Sequence, residues 1–214
     1  MDEDKRMAAE AALGEVRDGM LVGLGTGSTV AFLIAGLVAR RPRIDCFATS
    51  EASAAAARAG GLVVRAMAEV ARVDLTIDGA DEVDPRLFAI KGAGGAMLRE
   101  KVVAAASDRM VVIADGSKRV DAIGRAKLPV EVLPFARGFV AGRLEALGAA
   151  VALREGRTDN GNCILDARFG EMPDPRALAA AIDAIPGALG HGLFLDEVDA
   201  AYVAEGGVVT RYTR

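Results

Sequence analysis

The stretch MLVGLGTGSTVAFLIAGLVAR, residues 20–40, decides the fold that we predict for this chain. Residues 20–24 form a short apolar run that is typical of a buried strand, and residues 29–40 have the spacing of a helix. Glycines at positions 23, 25 and 27 permit a sharp turn between the two. An apolar strand that leads through a glycine loop into a helix indicates a mostly parallel sheet with both faces covered.

The same alternation continues on both sides of this stretch. Apolar runs predict strands over 44–48, 62–65, 73–77, 88–90 and 110–114, and helical patterns cover 51–59 and 97–106. The first 128 residues therefore predict a Rossmann-like α/β domain with a mostly parallel sheet.

The segment LPVEVLP, residues 128–134, marks a change of composition, and its two prolines indicate a crossing between domains. Beyond it we predict a helix over 135–147, a hairpin of 150–154 with 163–167, a helix over 175–184 and a strand over 192–195. A last hairpin, 201–204 with 208–212, could return to the first sheet. We expect a catalytic domain of residues 1–128 plus 198–214, and a small α+β, ferredoxin-like domain of residues 129–197.

The composition excludes several classes of protein. Apolar residues make up 52% of the 214 residues, so a sizeable core is expected, and a net charge of −4 with no basic stripe argues against a nucleic-acid or membrane surface. No apolar run approaches the ~18 residues of a transmembrane helix, and the acidic start of the chain lacks a signal-peptide pattern. Cys46 and Cys163 are far apart and outside any CxxC motif, which favours free thiols in the cytoplasm.

The single histidine limits the chemistry further. His191 stands between two glycines, where we interpret it as structural, and no second histidine is available for a zinc site. A Ser-His-Asp or Cys-His mechanism would have to use this one residue. Proton transfer is therefore expected to depend on Asp, Glu or Lys.

Unusual residues follow several of the predicted strands, where ligands bind in open α/β sheets. The loop after the first strand contains Thr26, Gly27, Ser28 and Thr29 and opens a helix, so its amides and hydroxyls favour an anion. It matches neither the GxGxxG nor the Walker pattern, so a monophosphate fits better than a nucleotide. An ordinary capped turn remains the alternative.

Acidic residues follow the strand over 73–77. Asp78 and Asp81 are separated by the small residues Gly79 and Ala80, which would let a ligand come close. The two carboxylates could then hydrogen-bond the hydroxyls of a sugar or move protons between its oxygens. A divalent cation site or a solvated turn would also fit this segment.

Two further segments carry lysines. Lys91 precedes the glycine-rich run Gly92-Ala93-Gly94-Gly95, whose amides could hold an anionic oxygen. Glu100, one to two turns into the following helix, could face this loop as a general base, although an exposed helix position would explain it equally well. Lys118 lies in the turn of Ala114-Asp115-Gly116-Ser117-Lys118 after another strand, where an ordinary surface turn remains the alternative.

Together these motifs resemble the ribose-5-phosphate isomerases of the A type. The matching segments occur in the family order over nearly the whole chain: Gly25–Thr29, Asp78–Glu82, Lys91-Gly92, Arg99-Glu100-Lys101, Ala114–Lys118, Leu128–Val132, Thr158–Asn162 with Ile164–Asp166, Ile185–Gly187 and Gly192–Phe194.

The resemblance implies an aldose-ketose isomerase of the pentose phosphate pathway that forms an enediolate without metal or organic cofactor. It implies that Glu100 is the base between C2 and C1, that Asp78 and Asp81 assist ring opening and oxygen-to-oxygen proton transfer, and that Lys91 stabilises the enediolate. Substrate contacts are expected from Thr26, Gly27, Ser28, Thr29, Gly79, Ala80, Gly92, Ala93, Gly94 and Lys118, with Lys5 as a weaker candidate. The family also implies a homodimer or tetramer that uses the small domain.

Two positions depart from the family pattern. Ala93 replaces a frequent glycine, and Leu98 replaces a small polar residue; neither removes a proposed functional group. A sugar-phosphate sensor, which would bind without turnover, and a transferase of the coenzyme A transferase kind, which would use Glu100 as a nucleophile, remain the competing hypotheses.

Overall fold

The computed structural model describes residues 1–214 and contains six α-helices and fourteen β-strands. The helices are α1 Asp2–Ala12, α2 Ser28–Arg40, α3 Glu51–Ala59, α4 Met97–Ala105, α5 Arg137–Ala146 and α6 Pro175–Asp183. The strands are β1 Leu21–Leu24, β2 Asp45–Ala48, β3 Val63–Val64, β4 Leu75–Gly79, β5 Glu82–Val83, β6 Ala89–Ile90, β7 Met110–Asp115, β8 Leu128–Val132, β9 Ala150–Leu153, β10 Cys163–Arg168, β11 Ala188–His191, β12 Leu193–Phe194, β13 Ala200–Glu205 and β14 Val208–Thr213.

The large sheet has seven strands in the order β14-β13-β7-β4-β1-β2-β3. All neighbouring pairs are parallel except the last hairpin, β13 with β14. Taken in chain order, the six parallel strands follow the doubly wound Rossmann arrangement, in which the strand order reverses between β1 and β4. The predicted α/β fold class is confirmed, and the final hairpin does return to the first sheet.

One face of this sheet is covered by α1, a helix that the sequence did not reveal. It packs against α2, β7 and β13. Its buried residues are Ala8, Ala9 and Ala12, so it has no stripe of large apolar side chains that a periodicity argument could detect.

The second sheet is antiparallel, with the order β11-β8-β10-β9. Its elements follow one another as β8-α5-β9-β10-α6-β11, which is the ferredoxin-like βαββαβ arrangement. Residues 128–132, predicted as a crossing, form the inner strand β8. Proline is tolerated there because Pro129 lies beyond the end of β11, whose pairing with β8 stops at Val130. Strand β11 was missed, and a register irregularity between Ala188 and Gly190 explains its weak pattern.

A third sheet of three short strands, β12-β6-β5, takes β5 and β6 from the chain between β4 and β7 and β12 from the chain after β11, and it fixes the position of Lys91. Leu193 pairs with Ile90, and the Lys91 amide donates to the carbonyl of Gly192 at 2.9 Å. Phe194 on β12 is fully buried. None of the six helices has the length and apolar content needed to cross a membrane.

Candidate active site

A cavity of about 230 Å³ opens at the carboxyl ends of β1 and β4, where the strand order of the large sheet reverses. This is the position at which open α/β sheets bind ligands. Fourteen residues line it: Lys5, Thr26, Gly27, Ser28, Thr29, Gly79, Ala80, Asp81, Lys91, Gly92, Ala93, Gly94, Glu100 and Lys118. All predicted site residues except Asp78 are in this lining, and Asp78 lies directly behind it in contact with Lys91.

The loop after β1 forms one wall of the cavity. Gly27 has a φ of +108°, which favours glycine, and α2 begins immediately after it at Ser28. The Thr26 hydroxyl lies 2.9 Å from the Thr49 hydroxyl, and the Thr26 amide donates to Asp78 Oδ1 at 3.0 Å. The free amides at the start of α2 make this wall suited to an anionic oxygen.

Three buried ionisable groups form the centre of the site. The Lys91 ammonium lies 2.7 Å from Asp78 Oδ2 and 3.2 Å from Glu100 Oε2, and it donates to the Gly79 carbonyl at 2.5 Å. The side chains of all three residues are at most 4% exposed. Neither carboxylate oxygen facing Lys91 has another polar partner. Lys91 is therefore the only cation that compensates these two buried carboxylates.

Glu100 lies in the first turn of α4, which begins at Met97 as predicted. Burial, followed by the negative charge of Asp78, raises the pKa of Glu100 to about 7, although Lys91 opposes the shift. Burial alone would lower the pKa of Lys91, but Asp78 and Glu100 outweigh it and the pKa is raised. The site thus combines a fixed ammonium with a carboxylate that can both accept and release a proton near neutral pH.

Asp81 and the glycine-rich loop face each other across the cavity. Asp81 Oδ2 accepts the Ala93 amide at 2.9 Å, which holds the carboxylate against residues 92–95. Gly92 and Gly95 have positive φ angles, and the Gly95 amide closes a turn onto the Gly92 carbonyl at 3.0 Å. This arrangement brings together the acidic and glycine-rich segments that the sequence places twelve residues apart.

The acidic residues between positions 78 and 84 make different contacts. Asp78 and Asp81 belong to the site, whereas Glu82 accepts the amides of Gly124 and Ala126 at 2.7 Å each. Asp84 pairs with Arg86. No group of three or more His, Cys, Asp or Glu side chains in the chain is arranged to hold a metal ion.

Two lysines enter the cavity from elements outside the central cluster. Lys118 belongs to a single 3₁₀ turn, Gly116–Lys118, after β7, and Asp115 caps that turn through the Ser117 amide at 3.0 Å. Lys5 comes from α1, whose alanine-rich face gave no signal that this helix reaches the site. His191 lies outside this lining; its Nδ1 accepts the Leu193 amide at 3.1 Å.

The large sheet is doubly wound, and a buried carboxylate–ammonium–carboxylate cluster lies where its strand order reverses. These two features define an α/β enzyme whose site is arranged for proton transfer. Residues 45–207 match the model of the family described as ribose 5-phosphate isomerase A, or phosphoriboisomerase A. The chain belongs to this family.

Relatives extend the match over the whole chain. A ribose-5-phosphate isomerase A of Sphingopyxis alaskensis is 53% identical over 214 residues, covering 96% of this chain and 94% of the relative. One of Gloeobacter violaceus is 50% identical over 221 residues, with 97% and 96% covered. The crystal structure of ribose 5 phosphate isomerase A from Neisseria gonorrhoeae superposes with a TM-score of 0.96 at 38% identity, covering 99% of this chain and 96% of that one.

A further solved structure is of a D-ribose-5-phosphate isomerase in complex with phospho-erythronic acid. It has a TM-score of 0.95 and 34% identity, and the match covers 99% of this chain and 98% of that chain.

Proposed function

We propose that this chain interconverts D-ribose 5-phosphate and D-ribulose 5-phosphate, with Glu100 moving the proton between C2 and C1. The observation that carries this proposal is the buried cluster of Asp78, Lys91 and Glu100 on the edge of a cavity of sugar-phosphate size. Family membership and the relatives' names supply the substrate.

In the proposed reaction the Glu100 carboxylate removes the C2 proton of the open-chain aldose. The freed electron pair forms the C1–C2 double bond of an enediolate, and the C1 carbonyl electron pair moves to O1. The hydroxyl proton of O2 then passes to O1, the electron pair left on O2 forms the C2 carbonyl, and the pair of the C1–C2 double bond takes the proton back from Glu100 at C1. The product is the ketose, with no net change in atoms or electrons. A pKa of about 7 suits both halves of this transfer, because the group is neither too weak a base nor too weak an acid.

Lys91 has the role of stabilising negative charge on the enediolate oxygens. Its ammonium is held in place by Asp78 and by the Gly79 carbonyl, so it need not reorganise during the reaction. Asp81, which borders the cavity beside the Ala93 amide, has the role of moving a proton between O1 and O2 and assisting ring opening.

The remaining cavity residues are proposed to bind the substrate. Thr26, Gly27, Ser28 and Thr29 offer amides and hydroxyls at the start of α2 for the phosphate, and Lys118 and Lys5 add positive charge. Gly79, Ala80, Gly92, Ala93 and Gly94 have small side chains or none, so a sugar can approach their backbone.

Proton NMR of the purified protein with ribose 5-phosphate in D₂O, with a chelator present, tests this function. We expect ribulose 5-phosphate to appear, with solvent deuterium entering the carbon skeleton, and both signals to develop ~10² to 10⁴-fold more slowly in Glu100→Gln. Binding without turnover would indicate a sensor instead, and a covalent thioester with an acyl-coenzyme A would indicate a transferase. Activity that is lost with the chelator and restored by metal would contradict a metal-free mechanism.

We propose that two copies of the chain associate through the unit formed by the antiparallel sheet β11-β8-β10-β9 and its helices. Phe135 is 96% exposed and Phe139 is 56% exposed, and Leu133 nearby is also exposed. Burying a phenylalanine contributes about 1.5–3 kcal/mol, and in a symmetric dimer each contact occurs twice. A homodimer that covers these side chains would remove an exposed apolar cluster from water.

The double variant Phe135→Ser/Phe139→Ser should weaken the dimer about 100-fold or more because it removes this apolar contact from both protomers. Sedimentation equilibrium measures the dissociation constant, and Val208→Ser, at a 65% exposed position on the last hairpin, is the matched control. A wild-type chain that sediments only as a monomer, or a double variant with an unchanged constant, would refute this interface.

We also propose that residues 129–197 form one folding unit and that residues 1–128 with 198–214 form the catalytic one, which hydrogen exchange during unfolding would test.

The proposed reaction would place the chain in the non-oxidative pentose phosphate pathway. Both cysteines are free and buried, which supports a cytoplasmic location that cell fractionation would test.

A further inference from the structure

Arg154 connects the antiparallel sheet to the glycine-rich loop of the site. It follows β9, and its Nη1 donates to the carbonyls of Gly92 and Ala93, each at 3.0 Å. These are two consecutive peptide groups of the cavity wall. One guanidinium nitrogen therefore restrains the orientation of both.

The consequence for the cavity follows from peptide geometry. In a planar trans peptide the N–H points away from the C=O, and the chain has no cis peptide bonds. Holding the Gly92 carbonyl directs the Ala93 amide away from Arg154, and that amide does meet Asp81 Oδ2 at 2.9 Å. Holding the Ala93 carbonyl likewise turns the Gly94 amide away, and this amide has no partner within the chain.

Arg154 is itself fixed by a paired carboxylate. Its Nε donates to Asp166 Oδ2 at 3.0 Å, and its Nη2 contacts Asp166 Oδ1, so the fork is bidentate. Lys127 also donates to Asp166 Oδ2, at 2.6 Å. Burial would raise the pKa of Asp166, but Arg154 and Lys127 outweigh it and lower the pKa, so the carboxylate stays ionised at neutral pH.

We propose that Arg154 is a positioning residue for the reaction: it sets the 92–95 loop so that the Ala93 amide holds Asp81 and the Gly94 amide is free to donate to a substrate oxygen. This inference rests on the proposed isomerase function for its effect on turnover. The proposal that Arg154 orients the 92–95 loop concerns the structure alone and does not depend on which substrate the chain uses.

The test compares Arg154→Gln with Arg154→Lys. Arg168→Gln is the matched control, because Arg168 lies on the same hairpin, is exposed and makes no ion pair. We expect Arg154→Gln to lower kcat about 10- to 100-fold, since small displacements of catalytic groups have effects of this size. The KM for ribose 5-phosphate should change less than about threefold, because the phosphate wall at residues 26–29 is untouched. Arg154→Lys should recover part of kcat, as an ammonium can still reach one carbonyl.

Hydrogen exchange of the peptide covering residues 91–96 gives a second readout that needs no activity. Exchange should accelerate in Arg154→Gln and remain at the wild-type rate in Arg168→Gln. Unchanged exchange together with kcat within twofold of wild type would overturn the proposal, and so would an equal loss of kcat in the control. If the wild-type chain turns over no ribose 5-phosphate, the isomerase function fails, and the exchange result alone decides whether Arg154 sets the loop. If Arg154→Gln does not fold, Arg154→Lys carries the same comparison.

Discussion

Replacing Glu100 by glutamine should lower kcat for ribose 5-phosphate by ~10² to 10⁴-fold, the usual contribution of a general base. Glutamine keeps the shape of the side chain but cannot accept the C2 proton. Binding of phospho-erythronic acid, with which a related isomerase was crystallised, should remain within about threefold of wild type. The thermal unfolding midpoint should fall by less than about 4 °C, because Lys91 keeps its pair with Asp78.

The pH profile provides the sharper evidence for this role. Since the base must be ionised and its pKa is raised to about 7, kcat/KM of the wild type should be full above this pH. It should decline about tenfold for each pH unit below it. The residual activity of Glu100→Gln should lack this acid limb, whereas Glu145→Gln, an exposed acid on α5, should retain it. A kcat within tenfold of wild type, or an acid limb that survives in the variant, would assign the base to another group.

The regular parts of the fold could be predicted because their sequences carry strong local signals. Helix α3 was placed at its observed bounds, since Ser50 caps it and alanines fill it. Helix α1 and strand β11 were not predicted, for two different reasons. The buried face of α1 consists of alanines, and β11 is short, glycine-containing and irregular in register. Both depend on long-range contacts that periodicity does not encode.

The candidate site shows the same division between local and long-range information. The position after a parallel strand was sufficient to bring Asp81 after β4 and Lys118 after β7 to one cavity. Lys91 also follows a predicted strand, but that strand, β6, belongs to the separate antiparallel sheet, and Glu100 lies on α4. The pattern alone left it open whether Glu100 is exposed, and its burial results from the packing of α4. Arg154 gave no motif signal, because its contact with the loop joins residues about sixty positions apart in the chain.

Lys91→Met should have a large effect on both activity and stability. The variant removes the only cation between Asp78 and Glu100 while keeping most of the apolar stem. Leaving buried charges without their partner costs about 3–5 kcal/mol of folding free energy. Turnover should fall about 10² to 10³-fold, the effect of removing one donor that stabilises an oxyanion. Arg65→Met, which breaks the exposed Arg65–Asp45 pair, is the matched control and should change stability far less than Lys91→Met.

The pKa of Glu100 should respond in a defined direction. Lys91 is the group that lowers this pKa against the effects of burial and Asp78, so its removal should raise the value above 7. The acid limb of kcat/KM should consequently shift to higher pH in Lys91→Met. A limb that stays in place would mean that Lys91 and Glu100 do not interact as their 3.2 Å separation implies.

A second substitution separates the electrostatic cost from a simple loss of packing. In Lys91→Met/Asp78→Asn one uncompensated carboxylate is gone, so the double variant should be more stable to urea than Lys91→Met although it carries one more change. The double variant should nevertheless remain inactive, because no ammonium is left to stabilise the enediolate. If it is less stable than the single variant by the cost of Asp78→Asn alone, the three groups do not form a coupled cluster. Lys91 would then contribute through packing of its stem rather than through charge.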